Sequence, residues 1–213
     1  MQDNPILWSF RRCPYAMRAR LALRRAGVAV ELREILLRDK PEEFLRTSPS
    51  ASVPCLRLAD RVIDESLDIM VWALEQSDPD SLLEMPREGW SLIETNDGPF
   101  KTALDHTKYA TRYPDHNPAD ERARAARFLL DLEERLTGTW LFGSRPTVAD
   151  LAILPFVRQF AYSDRAWFDA QNWSRLVAWL DGFTASDEFA AIMQKFPVWT
   201  LDAPPSVFGE RQN

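Results

Sequence analysis

The chain has 213 residues, 46% of them hydrophobic, and a net charge of −6 at pH 7, values typical of a globular protein with one large domain or two small ones. This acidic balance argues against nucleic acid as a partner, and no run approaches the ~20 apolar residues of a membrane helix. Two cysteines indicate a reducing compartment, and with only two histidines they are too few for a zinc cluster, so no metal is expected. The segment Met1–Pro5 shows no signal peptide, so we expect a cytoplasmic location.

The first 78 residues alternate between short strands and helices. We predict strands over 5–10, 28–37, 53–58 and 61–64, and helices from Cys13-Pro14 to Gly27, over 41–45 and over 67–76. Pro14 suits the first turn of a helix, where its missing N–H costs nothing, and Gly27 suits a helix C-terminus. Ser66 is positioned to cap the last of these helices. A βαβ unit followed by ββα predicts a thioredoxin-like layer.

The strand pattern nearly disappears after the polar segment 77–80. We predict helices over 121–136, from Thr147, and over 173–183 and 187–195. Thr147-x-x-Asp150 suits a capping box, and Pro155 is expected to kink the helix that begins there. Residues 1–78 hold 12 basic and 12 acidic residues, whereas 79–213 hold 14 and 20. The sequence therefore predicts an α+β thioredoxin-like domain at 1–78, a linker at 79–86 and an all-helical domain at 87–213.

Cys13 lies where the first predicted strand meets a helix N-terminus. The helix dipole there, together with Arg11 and Arg12, favours the thiolate and lowers a thiol pKa from ~8.5 into the ~3.5–7.5 range. Such a lone cysteine is otherwise more often a buried apolar residue. Ala16 excludes a Cys-x-x-Cys dithiol, so a reactive Cys13 must pair with an external thiol. Cys55, within a predicted strand, is expected to be buried.

Two further segments suit a peptide-like ligand. Pro54 opens a strand and is compatible with a cis peptide bond or with an edge-strand proline. An exposed Val53 backbone would pair with an extended ligand as an added strand. The helix start at Ser66 would hold a carboxylate and Glu65 an ammonium group, although Glu65 by spacing alone is more often a solvated acid.

Together these motifs resemble the cytosolic glutathione transferase superfamily. The segment 9–16, Ser-Phe-Arg-Arg-Cys-Pro-Tyr-Ala, is similar to the active-site segment of its cysteine-type, omega-like members. Lys40-Pro41-Glu42, Ser52-Val53-Pro54 and Glu65-Ser66 follow in the family's order and nearly its spacing. The resemblance is specific over 9–76 and looser from 87 onward. It implies a thioredoxin-like domain, a helical domain and an active site in the cleft between them.

By this resemblance, Cys13 forms a mixed disulfide with glutathione, and Lys40 binds the glycyl carboxylate. Val53, before a cis Pro54, pairs with the cysteinyl backbone, and Glu65 and Ser66 hold the γ-glutamyl group. The candidates for a second-substrate pocket are Tyr15, Phe100, Lys108, Tyr109 and Tyr113. Core packing explains the aromatic members equally well. In the tail at 196–213, Trp199 or Phe208 either closes over the cleft or, as the sequence favours, packs on the surface.

A cysteine at position 13, in the active-site segment, fits thiol transfer and reductive deglutathionylation better than conjugation. We therefore predict a glutathione-dependent thiol transferase or reductase that acts on a small electrophilic or disulfide substrate. The alternatives are a monothiol glutaredoxin-like protein, a conjugating glutathione transferase, and a non-catalytic binding protein of the kind represented by stringent-starvation regulators that contact RNA polymerase. The resemblance also implies a homodimer, although glutaredoxin-like relatives can be monomeric.

Overall fold

A computed structural model describes residues 4–210. The chain divides into two compact units, Met1–Leu83 with Asp187–Asn213, and Glu84–Ser186. Residues 1–3 lie outside the description, and with them most of the segment on which the signal-peptide prediction rests. Within the described part, no helix has both the length and the apolar character that a membrane span requires.

The first unit is built on a five-stranded mixed sheet with the strand order β4-β3-β1-β2-β5. The strands are β1 Ile6–Ser9, β2 Val30–Glu34, β3 Cys55–Arg57, β4 Val62–Ile63 and β5 Val207–Phe208. β1 pairs in parallel with β2, and the other neighbours are antiparallel. The helices of this unit are α1 Pro14–Ala26, α2 Glu42–Thr47, α3 Ser66–Gln76 and α10 Asp187–Ile192. The predicted thioredoxin-like layer is confirmed.

Local sequence explains where β1 and α1 lie. All four residues of β1 are buried, as expected for a central strand covered on both faces. Pro14 is the first residue of α1, and Gly27 ends the helix with a φ of 69°, the left-handed conformation that glycine adopts without strain. β1 therefore leads directly into the start of α1, as predicted.

The C-terminal tail joins the sheet of the first unit, whereas the sequence assigned all of 87–213 to a helical domain. Val30 of β2 lies opposite Phe208 of β5, and the Trp199 N–H donates to the Glu34 carbonyl at 2.8 Å. These bonds satisfy backbone groups along the outer edge of β2. The all-helical prediction is wrong at this strand, because a two-residue strand leaves no alternating pattern in the sequence.

The second unit is helical. Its helices are α4 Arg87–Thr95, α5 Lys101–Lys108, α6 Pro118–Arg135, α7 Val148–Ala161, α8 Arg165–Asp169 and α9 Ser174–Thr184. A π-helical turn, Asn96–Phe100, joins α4 to α5. The predicted helices over 121–136, from Thr147 and over 173–183 are confirmed as α6, α7 and α9, and α7 continues through Pro155.

Asp150 fixes the start of α7, as the capping-box motif predicts. Its carboxylate is fully buried and accepts hydrogen bonds from the Thr147 N–H at 2.8 Å, the Leu141 N–H at 3.0 Å and the Trp179 indole at 3.2 Å. Burial raises the pKa of Asp150, and these donors act in the opposite direction. The capping carboxylate thus also joins α7 to α9 and to the preceding loop.

Candidate active site

Cys13 occupies the N-cap position of α1, with φ −72° and ψ 124°. Its carbonyl accepts the Met17 N–H at 2.9 Å, and its half-buried thiol donates to the Val53 carbonyl at 3.6 Å. Neither Cys13 nor Cys55 is in a disulfide. The sulfur therefore lies at the positive end of a 13-residue helix, where a thiolate is favoured.

Arg20 is a buried positive charge that interacts electrostatically with Cys13, and sequence reasoning missed it. Its side chain is fully buried, and its Nη2 donates to the Arg11 carbonyl at 2.6 Å. Burial lowers the pKa of Arg20 to about 10, although Glu34 and Cys13 act to raise it. The guanidinium therefore remains charged at neutral pH and attracts a thiolate at Cys13.

Glu34 balances this charge from the end of β2. It is 8% exposed and accepts the Arg11 backbone N–H at 2.6 Å. Burial raises the pKa of Glu34, and Arg11 and Arg20 oppose that shift.

The exposed Arg12, which the sequence predicted to act on the thiol, has its guanidinium 5.4 Å from the centre of the Phe10 ring. The sequence could identify the adjacent arginines but not Arg20, which lies two turns along the helix and reaches back to the Arg11 carbonyl.

The segment before Pro54 faces the thiol. The Val53–Pro54 peptide bond is cis, and both residues are buried. Ala51 has a φ of 52°, and its carbonyl accepts the Lys40 ammonium at 2.9 Å. Lys40 is half-buried, so this bond holds its charge beside the loop that carries Val53.

Asp64, at the end of β4, fastens the same loop from the other side. It accepts the Ser48 hydroxyl at 2.8 Å and the Ser50 N–H at 2.9 Å. Sequence reasoning missed Asp64 and Ser48, because their contact joins residues 16 positions apart. The only sequence feature that could have indicated Asp64 is its place in the run Asp64-Glu65-Ser66, directly before the predicted helix.

Glu65 and Ser66 begin α3, but their roles differ from the prediction. Glu65 holds the N-cap position and Ser66 is the first helical residue, so Ser66 is not the cap. The Ser66 hydroxyl is buried and accepts the Arg18 Nε at 3.0 Å. Glu65 is exposed. The first N–H groups of α3 remain a suitable site for a carboxylate.

Cys55 differs sharply from Cys13. It is fully buried in β3, as predicted, and packs in a core with Ile6, Trp8 and Phe44. Burial, together with Asp64, raises the pKa of Cys55 to about 12. It therefore stays a protonated, apolar core residue at neutral pH.

The candidates for a second-substrate pocket do not form one cluster within either unit. Tyr15 is half-buried on α1, with the Arg18 guanidinium 5.2 Å from its ring. Phe100, in the helical unit, is only 2% exposed, with its ring 4.9 Å from that of Phe128. Phe100 therefore packs in the core of the helical unit, and its place in a second-substrate pocket stays a prediction.

The remaining three candidates lie near the end of α5. Lys108 is exposed, with its ammonium 5.5 Å from the Tyr109 ring, and the Arg112 guanidinium lies 4.7 Å from the same ring. Tyr113 packs on His106, with ring centroids 4.3 Å apart. Lys108 and Tyr109 stay predictions as pocket residues, as does Tyr113.

Comparison with known proteins identifies both parts of the chain. The glutathione S-transferase N-terminal domain model matches residues 7–81, and the C-terminal domain model matches residues 109–182. A probable glutathione transferase from Aplysia californica is 37% identical over 70 residues, 33% of this chain and 75% of that protein. Glutathione S-transferase DHAR2 from Arabidopsis thaliana is 29% identical over 165 residues, 76% of this chain and 72% of that protein. A probable glutathione S-transferase DHAR1 from Oryza sativa subsp. japonica is 29% identical over 67% of this chain, which spans 64% of that relative.

Solved structures share the fold at low sequence identity. Glutathione transferase Omega 3C from Trametes versicolor superposes with a TM-score of 0.76 and 17% identity, covering 91% of this chain and 85% of that chain. A glutathione transferase family member from Pseudomonas fluorescens, crystallised with two glutathione bound, superposes with a TM-score of 0.76 and 18% identity. The match covers 90% of this chain and 92% of that chain. With its N- and C-terminal domain models and its relatives in agreement, the chain belongs to the glutathione S-transferase family.

Proposed function

We propose that this protein is a glutathione-dependent thiol transferase or reductase in which Cys13 is the nucleophile. One observation carries the proposal: the thiol lies at the start of α1 and 3.6 Å from the carbonyl of Val53, the residue before the cis proline. A thiol that both meets a helix dipole and faces a peptide-binding backbone is placed for exchange with a bound thiol.

The first unit offers a partner for each group of glutathione. The Val53 backbone would pair with the cysteinyl residue, and Lys40 would attract the glycyl carboxylate from its position on the Ala51 carbonyl. The N–H groups at the start of α3, around Ser66, would hold the γ-glutamyl carboxylate, and Glu65 its ammonium group. In this arrangement the glutathione sulfur would lie beside Cys13.

The reaction would proceed in two exchange steps. The Cys13 thiolate attacks the glutathione sulfur of a mixed disulfide, so the Cys13–glutathione bond forms and the substrate leaves as a thiolate that takes a proton from solvent. A second glutathione thiolate then attacks the Cys13–glutathione bond, which releases oxidised glutathione and restores the Cys13 thiolate. The net reaction consumes one mixed disulfide and one free glutathione, and gives the substrate thiol and one oxidised glutathione.

Dehydroascorbate is a second substrate to assay. The match to relatives named glutathione S-transferase DHAR motivates this assay. The balanced reaction consumes two glutathione and one dehydroascorbate and gives one oxidised glutathione and one ascorbate. A cytoplasmic location, expected from the sequence, and a homodimer, implied by the resemblance, complete the proposal. Light scattering on the purified chain tests the dimer.

Steady-state assays with a glutathionyl disulfide and with dehydroascorbate test the proposed chemistry. We expect Cys13→Ser to lower kcat by at least about a hundredfold and Cys55→Ser, the control, to leave it unchanged. If Cys13→Ser keeps its thiol-transfer activity, the proposal is wrong. Conjugation of an aromatic electrophile that survives Cys13→Ser favours a conjugating transferase, and failure to bind glutathione at millimolar concentration favours a non-catalytic binding protein.

Lys40 tests the binding site separately from the nucleophile. We expect Lys40→Met to raise the KM for glutathione roughly tenfold, because a charge-assisted hydrogen bond is worth ~1.5–3 kcal/mol and this one is partly solvated. Lys195→Met, which removes an exposed lysine of the same unit, is the matched control. Equal KM values for the two variants contradict the assigned role of Lys40.

A further inference from the structure

Both histidines of the chain lie beside one carboxylate in the helical unit. His106 is near the end of α5, His116 precedes α6, and Glu121 lies in the first turn of α6. One ligand atom from each of the three lies within 4.8 Å of the other two. The glutathione chemistry proposed above uses none of these residues, which belong to a different unit from Cys13.

The spacing of these atoms is close to that around a small metal ion. His116 Nδ1 lies 3.3 Å from Glu121 Oε1, and His106 Nδ1 lies 3.7 Å from Glu121 Oε2. Two ligands bound tetrahedrally at zinc distances are roughly 3.3–3.5 Å apart. The imidazole rings are 3.9 Å apart at their centroids, so a modest rotation of the side chains would direct all three groups at one point.

His106 supplies an independent sign that the cluster is incomplete. Its Nδ1 is buried and forms no hydrogen bond. Buried polar atoms in folded proteins nearly always have a partner, and a bound ion is one of the standard explanations where the protein itself supplies none. The Glu121 side chain is 6% exposed, so a negative charge lies buried beside this nitrogen.

We propose that His106, His116 and Glu121 bind a divalent transition-metal ion of the zinc type. Two imidazole nitrogens and one carboxylate oxygen suit zinc, whereas magnesium and calcium prefer ligand sets made of oxygen. Three protein ligands leave a fourth position for water. The His116 side chain is 43% exposed, which gives the ion a path from solvent.

The sequence prediction of no metal rested on counting cysteines and histidines for a zinc cluster. When a carboxylate is also counted as a ligand, the two histidines and Glu121 give three ligands for a metal ion. The sequence signal was the position of both histidines and Glu121 within 16 residues, on either side of one predicted helix start. Only the fold shows that the turn between α5 and α6 brings them together.

Arg124 competes with the metal for the carboxylate. Its Nη1 donates to both oxygens of Glu121, at 2.9 and 3.0 Å. The Arg124 side chain is 44% exposed, so it can turn into solvent when an ion binds. Removing Arg124 should therefore strengthen metal binding, an effect that an ordinary ion-pair cluster would not produce.

Binding is expected to stabilise the helical unit. The metal would join α5 to the start of α6 across the connecting segment 109–117. An ion that binds only the folded chain raises the melting temperature as its concentration increases. This rise in melting temperature should be absent when one of the three metal-binding side chains is removed.

Titration calorimetry and thermal unfolding of the full-length, tag-free chain with zinc chloride test the site. Cys13→Ser is measured beside the wild type, because a thiol is another zinc ligand. We expect one zinc ion per chain in both, binding weakened more than about tenfold in His116→Ala, and binding tightened in Arg124→Gln. Arg127→Gln, an exposed arginine of the same helix, should leave the affinity unchanged.

A cobalt titration identifies the ligand type. Visible bands of a nitrogen- and oxygen-ligated ion, without a thiolate charge-transfer band, are expected. His116 is exposed, so His116→Ala should fold, and circular dichroism checks this. The proposal is overturned if zinc does not bind, if His116→Ala binds as the wild type does, or if Cys13→Ser abolishes binding.

Discussion

The two cysteines of the first unit show how strongly local surroundings decide the chemistry of one side chain. Cys13 is half-buried at a helix N-terminus and interacts electrostatically with the buried cation of Arg20. Cys55 is fully buried in β3, and its pKa is raised to about 12, mainly by burial. The same thiol group thus lies where we propose exchange at one position and stays protonated at the other.

Alkylation tests this contrast. At neutral pH, iodoacetamide should add one group to the native chain, on Cys13. Cys55 should stay unlabelled from neutral pH to about pH 10, because its pKa near 12 keeps the thiol protonated there. Intact mass and peptide mapping provide the measurement, with denatured protein as the control in which both thiols react. Labelling of Cys55 in the native chain contradicts the account.

Single-residue roles were predictable where neighbours in sequence determine them. The position of Cys13 at a helix start follows from the adjacent Pro14, and the burial of Cys55 follows from its strand. The bond from Arg18 to Ser66 joins residues 48 positions apart, so no local pattern indicates it. Phe100 was ambiguous because a periodic aromatic residue is compatible with both a pocket and a core.

At the level of elements, the loop between α2 and β3 connects the predicted binding residues. Asp64 fastens it through Ser48 and Ser50, and Lys40 holds it through the Ala51 carbonyl. The same loop leads to Val53, whose carbonyl accepts the Cys13 thiol. We therefore predict that Asp64 positions this loop for the proposed glutathione site.

Asp64→Ala should loosen this loop. We expect the KM for glutathione to rise about fivefold with a smaller change in kcat, equivalent to ~1 kcal/mol for the lost hydrogen bonds. The pKa of Cys55 should also fall, because the Asp64 charge helps to raise it. The exposed Asp60, changed to Asn, is the control. An unchanged KM in Asp64→Ala argues against the positioning role.

Helices whose first or last residues have a clear sequence motif were predicted well. α1 is bounded by Pro14 and Gly27, and α7 begins at the Thr147–Asp150 capping box. β5 was missed because two residues make no pattern, and its place in the sheet depends on pairing with a distant strand. The π-helical turn before α5, which contains Pro99, was also missed.

For the molecule as a whole, the tail is the main departure from the predicted division at 78 and 87. It completes the sheet of the first unit through β5 and brings Trp199 onto the sheet. The Arg33 guanidinium lies 4.9 Å from the Trp8 ring and 4.7 Å from the Trp199 ring. The chain end therefore contributes to the same core that supports β1.

Trp199→Ala should destabilise this unit. We expect the free energy of unfolding to fall by about 2 kcal/mol, less than for a fully buried tryptophan, because the ring is half-buried and contacts Trp8 and Arg33. Leu201→Ala, at a position 78% exposed in the same tail, should change it little. Urea denaturation measures the free energy of unfolding of both variants. Equal losses in the two variants contradict the packing assigned to Trp199.

The central claim is that Cys13 is the thiol that forms a mixed disulfide with glutathione. The most direct measurement is the intact mass of the wild type, Cys13→Ser and Cys55→Ser after incubation with oxidised glutathione. The account predicts one added glutathione on the wild type and on Cys55→Ser, and none on Cys13→Ser. A wild type that gains no glutathione, or a Cys13→Ser chain that still gains one, would contradict it.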